Sequence, residues 1–222
     1  MESGQVQPWD TDRLKLELRA RAEQARLTLQ RVAEGRRVKW SWSVAEGDVA
    51  AEVLAASSDG DAIAIGRERW SSDIDRRRIA TTAEVLRRDR GLTLIHRSGR
   101  LRDLPIAVLY DGGSASRRAL ALVDQLGRGR KVEICVLVPH AEEASSRDLR
   151  QEVEEWARAS GLPVRLRPIA SPGGADVAPT LGLFRHHLLV LPADTPVLLG
   201  GSGDAVLESA CSLLVVRANE GK

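Results

Sequence analysis

Short unbroken apolar runs alternate along this chain with longer segments whose apolar residues recur every three or four positions. The unbroken runs have strand length: AIAIG (62–66), LTLIH (92–96), PIAVLYDGG (105–113), KVEICVLVPH (131–140), LLVLP (188–192) and SLLVV (212–216). Strands that are apolar throughout and separated by helices are typical of a parallel sheet covered on both faces. The pattern therefore predicts an α/β fold.

Segments with helical periodicity lie between these runs. The first has Leu18, Ala22, Ala25, Leu29 and Val32 on one face, predicted to point inward, with Asp10 or Thr11 as its cap. A second spans 145–160 with Leu149, Val153 and Trp156 inward, and Gly161-Leu162-Pro163 ends it as a left-handed cap followed by proline. Further helices are predicted at 48–57, 114–127, 175–184 and 204–209.

Two segments alternate apolar with polar residues instead. They are VKWSWSV (38–44) and VRLRPI (164–169), and this alternation predicts outer, half-exposed strands.

The chain also repeats itself. Asp48-Val49-Ala50 leads to AIAIG as Asp176-Val177-Ala178 leads to LLVLP, and LTLIHR (92–97) recurs as SLLVVR (212–217). In the second copy the repeated part is preceded by an opening strand, a helix and a second strand. The corresponding elements of the first copy would fall before Met1. We predict two doubly wound modules, residues 1–100 lacking the opening β-α-β elements and residues 101–222 complete.

Composition narrows the function. Lys plus Arg number 33 and Asp plus Glu 31, and the five Trp, one Tyr and one Phe are too few and scattered to stack nucleic-acid bases. No apolar run reaches the roughly eighteen residues of a membrane helix, and the N-terminus lacks the pattern of a signal peptide. With Cys135 and Cys211 in apolar runs, we expect buried thiols in a cytoplasmic protein that binds neither nucleic acid nor membrane.

Candidate catalytic and metal-binding groups are sparse. His186 and His187 are adjacent and would point to opposite faces of a strand, while His96 and His140 end strands without metal-ligand spacing. A thiolate is disfavoured within an apolar strand, so neither cysteine suits nucleophilic catalysis. We predict no metal site and no catalytic residues.

Two loops have alternative interpretations. Residues 67–78 (RERWSSDIDRRR) are predicted to form a solvated loop whose acidic and basic side chains pair locally. The alternative is a loop that contacts a partner through Trp70. The run 111–116 resembles the phosphate loop of N-type ATP pyrophosphatases, but that family has Ser in place of Asp111 and Asp in place of Ala115. The simpler interpretation is a turn in which Ser114 caps the next helix.

The order of elements, with IAVLYDGGSASRRALALV and GSGDAVLESACSLLVVR, resembles the universal stress protein family over nearly all of residues 10–217. The resemblance implies two tandem modules of the adenine nucleotide alpha hydrolase-like fold, with sheet order three, two, one, four, five and pairing through the fifth strands. It also implies that Asp111 faces adenine or ribose and that Gly200, Gly201, Ser202 and Gly203 approach phosphate, near a helix N-terminus.

The family's phosphate signature is incomplete here. Its first glycine position is Pro192, which has no N–H, and its second is Thr195. In the first copy Gly66 remains, but Arg69 and Ile79-Ala80 occupy the following positions.

We therefore expect a non-enzymatic regulatory or stress-response protein with a degenerate nucleotide site and no cofactor, acting as a homodimer or with another protein. The alternatives are an ATP- or AMP-binding sensor and, third, an ATP-pyrophosphatase-type enzyme. The incomplete first module should expose an adhesive strand edge. We expect it to be completed by packing against the second module or another chain; the alternative is that the true start lies upstream of Met1.

Overall fold

The computed structural model describes residues 11–58, 62–66, 72–96, 101, 104–139, 143–169, 183, 187–199, 206–207 and 211–218. Its helices are α1 (Thr11–Arg36), α2 (Val49–Ala56), α3 (Ser72–Arg88), α4 (Ser114–Gly127), α5 (Glu143–Ser160) and α6 (Pro196–Leu199). Its strands are β1 (Ala62–Gly66), β2 (Leu92–His96), β3 (Ile106–Leu109), β4 (Ile134–Pro139), β5 (Val164–Ile169), β6 (Leu188–Pro192) and β7 (Ser212–Val216).

The seven strands form one sheet in the order β1-β2-β7-β6-β3-β4-β5. Every neighbouring pair is parallel except β2 and β7, which pair antiparallel with Leu92 opposite Val216. Strands β3 to β7 have the predicted order of a complete module, and the predicted pairing of the two fifth strands is confirmed. The α/β fold class is likewise confirmed, while descent of the two halves from a tandem repeat stays a prediction.

The core lies on both faces of this sheet. One cluster includes Leu109, Leu137, Leu189 and Val215, and the other includes Val108, Val136, Val190 and Val216 from the opposite faces of the same four strands. Strand residues alternate between faces, so a strand that is apolar throughout can contribute to both clusters. Helix α4 contacts β3, β6 and β7, and α5 contacts β4.

Several local predictions hold. Helix α5 buries Val153 and partly buries Leu149 and Trp156, and Gly161 after it has a left-handed φ of 67°. The helix predicted at 48–57 is α2, and the structure adds that Asp48 caps it, Oδ1 accepting from the N–H of Ala51 at 2.8 Å. Cys135 and Cys211 are buried free thiols.

Four predictions are wrong. The predicted loop at 67–78 is helical from Ser72, where α3 begins, since Asp73 and Asp75 favour the N-terminal turn of a helix. Residues 38–44 form no strand, because the strand that would flank them in a complete module is absent from the described sheet. The apolar face of α1 is not buried: Leu18, Leu29 and Val32 are exposed. Ser114 is not a cap but the first residue of α4, whose N-cap is Gly113 without a side-chain bond.

The other predictions cannot be compared. Asp10, Trp70, His140 and all residues of the predicted helix at 175–184 except Leu183 lie outside the described residues. The chain divides into two compact units, Met1–Gly47 and Asp48–Lys222, of which the second contains the whole sheet. The module boundary near residue 100 remains a prediction about the repeat.

Candidate functional site

The strand order reverses at β3, which has β4 on one side and β6 on the other. In open parallel α/β sheets, ligands bind outside the carboxyl ends of the strands at such a reversal, where neighbouring connections leave in opposite directions. Tyr110 and Asp111 directly follow β3, and Ala193 to Thr195 follow β6. The topology thus places the predicted Asp111 at the expected position for a ligand site.

The Asp111 carboxylate is engaged in a tight turn. Its Oδ1 accepts from the N–H of Gly113 at 2.9 Å, and the Ser116 hydroxyl donates to the Gly113 carbonyl at 3.0 Å. Asp111 itself is half-buried. One carboxylate oxygen therefore helps to hold the turn that starts α4, which leaves the other oxygen as the group with which this side chain could contact a ligand.

Gly112 is required by the same turn. Its φ of 83° lies in the left-handed region, and a Cβ there would stand 2.7 Å from Cδ2 of Leu149 on α5. A side chain would be disfavoured both by the backbone conformation and by this contact. The close packing of Gly112 on α5 fixes the position of the Asp111 turn.

A charged cluster that the sequence did not reveal lies beside this turn. The hydroxyl of Tyr110 donates to Oε2 of Glu152 on α5, and Nη2 of Arg117 on α4 lies 3.4 Å and 3.3 Å from the two Glu152 oxygens. Tyr110 is only 2% exposed. The one available sequence signal was that Glu152 follows Leu149 by three positions, on the edge of the inward face of α5.

The electrostatics of the cluster favour a structural role. Burial, followed by the hydrogen bond and charge of Glu152, raises the pKa of Tyr110 to about 12. The hydrogen bond from Tyr110, together with Arg117, lowers the pKa of Glu152. At neutral pH the phenol is a neutral donor and Glu152 a carboxylate, so neither is poised for proton transfer. The cluster ties the end of β3 to α4 and α5.

The other wall of the site follows β6. Pro192 ends that strand, the N–H of Ala193 donates to Val216 at 2.8 Å, and the Thr195 carbonyl accepts from Leu198 at 3.0 Å. Thr195 is 0% exposed, and its Oγ1 has no hydrogen-bond partner within the described part of the chain. Buried hydroxyls are nearly always hydrogen-bonded, and leaving one unpaired costs about 1–3 kcal/mol.

Gly200, Gly201, Ser202 and Gly203, the predicted phosphate-contacting residues, lie outside the described residues. Their approach to Asp111 stays a prediction. Gly66, the remaining glycine of the first copy, ends β1, which three strands separate from β3 in the sheet.

Other kinds of site find little support in the described ranges. No group of three or more His, Cys, Asp or Glu side chains there could hold a metal ion. Burial raises the pKa of the Cys135 thiol, which disfavours the reactive thiolate. Nδ1 of His96 lies 3.1 Å from Oγ of Ser212, but Ser212 is buried, which closes that pair to a substrate. None of the helices described is long and apolar enough to cross a membrane.

Comparisons with known proteins agree with this architecture. No protein-family model and no curated protein sequence matches the chain. Among solved structures, a universal stress protein from Archaeoglobus fulgidus DSM 4304 aligns with a TM-score of 0.70 and 19% identity, covering 98% of this chain and 84% of that one.

Two further structures align with 87% of this chain, 78% of their own length and a TM-score of 0.53. They are a putative universal stress protein from Pseudomonas aeruginosa UCBPP-PA14, 14% identical, and a functionally unknown protein, PA1789, from Pseudomonas aeruginosa PAO1, 13% identical. At these identities a structural match establishes the fold. The sequence resemblance, the sheet order and the antiparallel joint of β2 with β7 thus lead to one conclusion: this chain has the fold of the universal stress proteins.

Proposed function

We propose that this protein is a non-enzymatic, cytoplasmic regulatory protein of the stress-response type, which acts by associating with a second copy or another protein and whose nucleotide site is degenerate. The observation that carries the proposal is the lack of free backbone N–H groups directly after β6. A phosphate-wrapping loop needs free backbone N–H groups, but this strand ends in Pro192, which has none, and the N–H of Ala193 already donates to Val216.

The described chemistry supports the non-enzymatic part of the proposal. The buried thiols, the neutral Tyr110 and the enclosed His96–Ser212 pair offer no nucleophile with an accessible general base. The turn after β3 also lacks the serine and aspartate that the pyrophosphatase loop carries at its two ends.

The second candidate function is an adenine-nucleotide sensor that uses Asp111 and the Gly200–Gly203 loop. It is favoured by the buried hydroxyl of Thr195, which follows β6 at the same end of the sheet as Asp111 and has no hydrogen-bond partner among the described residues. A bound ligand is one way to satisfy such a group.

Thermal unfolding with and without millimolar ATP and Mg²⁺ separates the two functions. A ligand at a hundred times its Kd adds about 2.7 kcal/mol of stability, which raises the Tm of a domain this size by roughly 5–10 °C. We expect no shift. A thermal shift would favour the sensor instead if Asp111→Asn abolishes it and the control Asp148→Asn, at an exposed position of α5, leaves it intact. Asn is chosen because its side-chain oxygen can still accept from Gly113 while the charge is lost.

A further inference from the structure

The two edges of the sheet differ in how they resist strand addition. Strand β5 at one edge carries exposed Arg165 and Arg167, and Pro168, which lacks an N–H. Charges and proline on an edge strand prevent pairing with other chains. Strand β1 at the other edge reads AIAIG, with neither. Among the described residues it has a neighbour on one side only, so its other edge pairs with no described strand.

The surface of β1 can receive an apolar strand. Ala62, Ala64 and Gly66 are exposed on one face, and Ile63 on the other belongs to a small cluster with Ala50 and Val85. The small side chains leave room above the exposed face, and the cluster offers apolar surface that an added strand would extend.

The chain also contains a segment with the sequence pattern of a strand that pairs with no described strand. Residues 38–44 alternate apolar with polar side chains, yet 38–46 form no strand with any described part of the chain. Val38, Trp40, Trp42 and Val44 are 58%, 37%, 39% and 68% exposed. Such an exposed aromatic and β-branched row is typical of a strand whose partner is missing.

We propose that two copies of this chain associate by reciprocal strand addition, in which residues 38–44 of each copy pair with the β1 edge of the other. This inference rests on the associating function proposed above and names its surface. The exchange is isologous, since each copy supplies one strand and one edge, and it places the Trp40 and Trp42 row against the partner's end of the sheet.

The area that such an exchange would cover is sufficient for a stable dimer. A tryptophan can bury up to about 250 Å², so at 37% and 39% exposure the two indoles leave about 90 Å² each. With the two valines, each segment offers about 400 Å². Two segments and the surfaces that receive them amount to about 1,500 Å², within the range of specific interfaces.

The test is the mass of the protein in solution by light scattering over a dilution series. We expect a wild-type dimer. Ala64→Lys places a charge on the receiving edge, and the double change Trp40→Ser with Trp42→Ser removes the anchors of the added strand. Each should raise the dimer Kd by at least about 30-fold. The control Ala159→Lys, at an exposed position of α5, should leave the dimer Kd unchanged. All altered positions are at least partly exposed, and circular dichroism verifies that the variants fold.

Mixing the two variants sharpens the test. The Ala64→Lys copy still has an intact donating segment, and the double tryptophan variant still has an intact edge, so the mixture can form one normal joint. We expect it to dimerise more tightly than either variant alone. A mixture no tighter than its components, or a dimer that both variants leave unchanged, would overturn this inference alone. A monomeric wild type would overturn it together with the homodimer part of the proposed function, but not the thermal-shift result.

Discussion

At the scale of single residues, the turn after β3 shows which properties can be predicted from the sequence and which depend on tertiary contacts. The position of Asp111 after a buried strand is evident from the sequence. Its hydrogen bond to Gly113 is local. The contact that a side chain at Gly112 would make with Leu149 involves α5, which lies some forty residues further along the chain. Ser114 was predicted as the cap because serine is favoured there, but the helix begins one residue earlier than that role requires.

Replacing Gly112 by Ala should destabilise the protein by about 1–3 kcal/mol, since the left-handed φ and the clash with Leu149 both oppose a Cβ. Denaturant unfolding measures the loss. Gly129→Ala is the matched control, because its φ of 71° is also left-handed but nothing lies within 4 Å of its Cβ position. Equal losses at the two glycines would mean that the packing on α5 contributes nothing.

At the scale of elements, the hydrophobic pattern predicts strands and helices correctly where a neighbouring element is present to pack against them. All seven described strands were recognised, because each is an unbroken or alternating apolar run bounded by turn residues. The same reasoning failed for 38–44. A strand needs hydrogen bonds to a neighbouring strand as well as a suitable side-chain pattern, and the pattern alone cannot show whether such a neighbour exists. Likewise, periodicity predicts the helix α1 correctly, but it cannot show whether the apolar side chains of that helix are covered, and Leu18, Leu29 and Val32 are exposed.

The tie between β3 and α5 leads to a pH prediction. Tyr110 is the only tyrosine in the chain, so phenolate absorbance reports it directly. Its folded pKa of about 12 exceeds the unfolded value of about 10. Stability from this group is therefore complete below about pH 10 and is lost as the pH rises from 10 towards 12. Unfolding free energy measured up to pH 11 should show this decline.

Tyr110→Phe should remove that alkaline decline and lower stability at neutral pH by about 1–2 kcal/mol, the net value of the lost hydrogen bond. In the wild-type background, Glu152→Gln should lower the pKa of Tyr110 only in part, because burial is its largest cause. Glu154→Gln, exposed on the same helix, serves as the control. A phenol that titrates near 10 in the folded protein would contradict the burial and bonding described for it.

At the scale of the whole molecule, the joint between β2 and β7 makes one sheet of the two halves. The register pairs Leu94 with Leu214, Arg118 bonds the Arg217 carbonyl at 2.8 Å, and the Arg217 guanidinium bonds the Leu86 carbonyl. The first half therefore cannot open at this joint without exposing the core of the second.

Native-state hydrogen exchange should accordingly give β2 and β7 opening free energies within about 1 kcal/mol of each other and near the global value. Strands β3 and β6 provide the internal reference for global unfolding. If β2 exchanged through a much smaller opening while β7 stayed protected, the joint would be a weak contact and the two halves would be independent units.

The sequence by itself determined most of the segments that form strands and helices, and that buried parallel strands form the sheet. Those properties follow from local side-chain periodicity, which is written along the chain. Only the tertiary structure decided that residues 38–44 remain outside the described sheet, that β1 is the outermost of its described strands, and that Tyr110, Arg117 and Glu152 meet. Such contacts join residues far apart in the chain, and their energies depend on neighbours that no local pattern specifies.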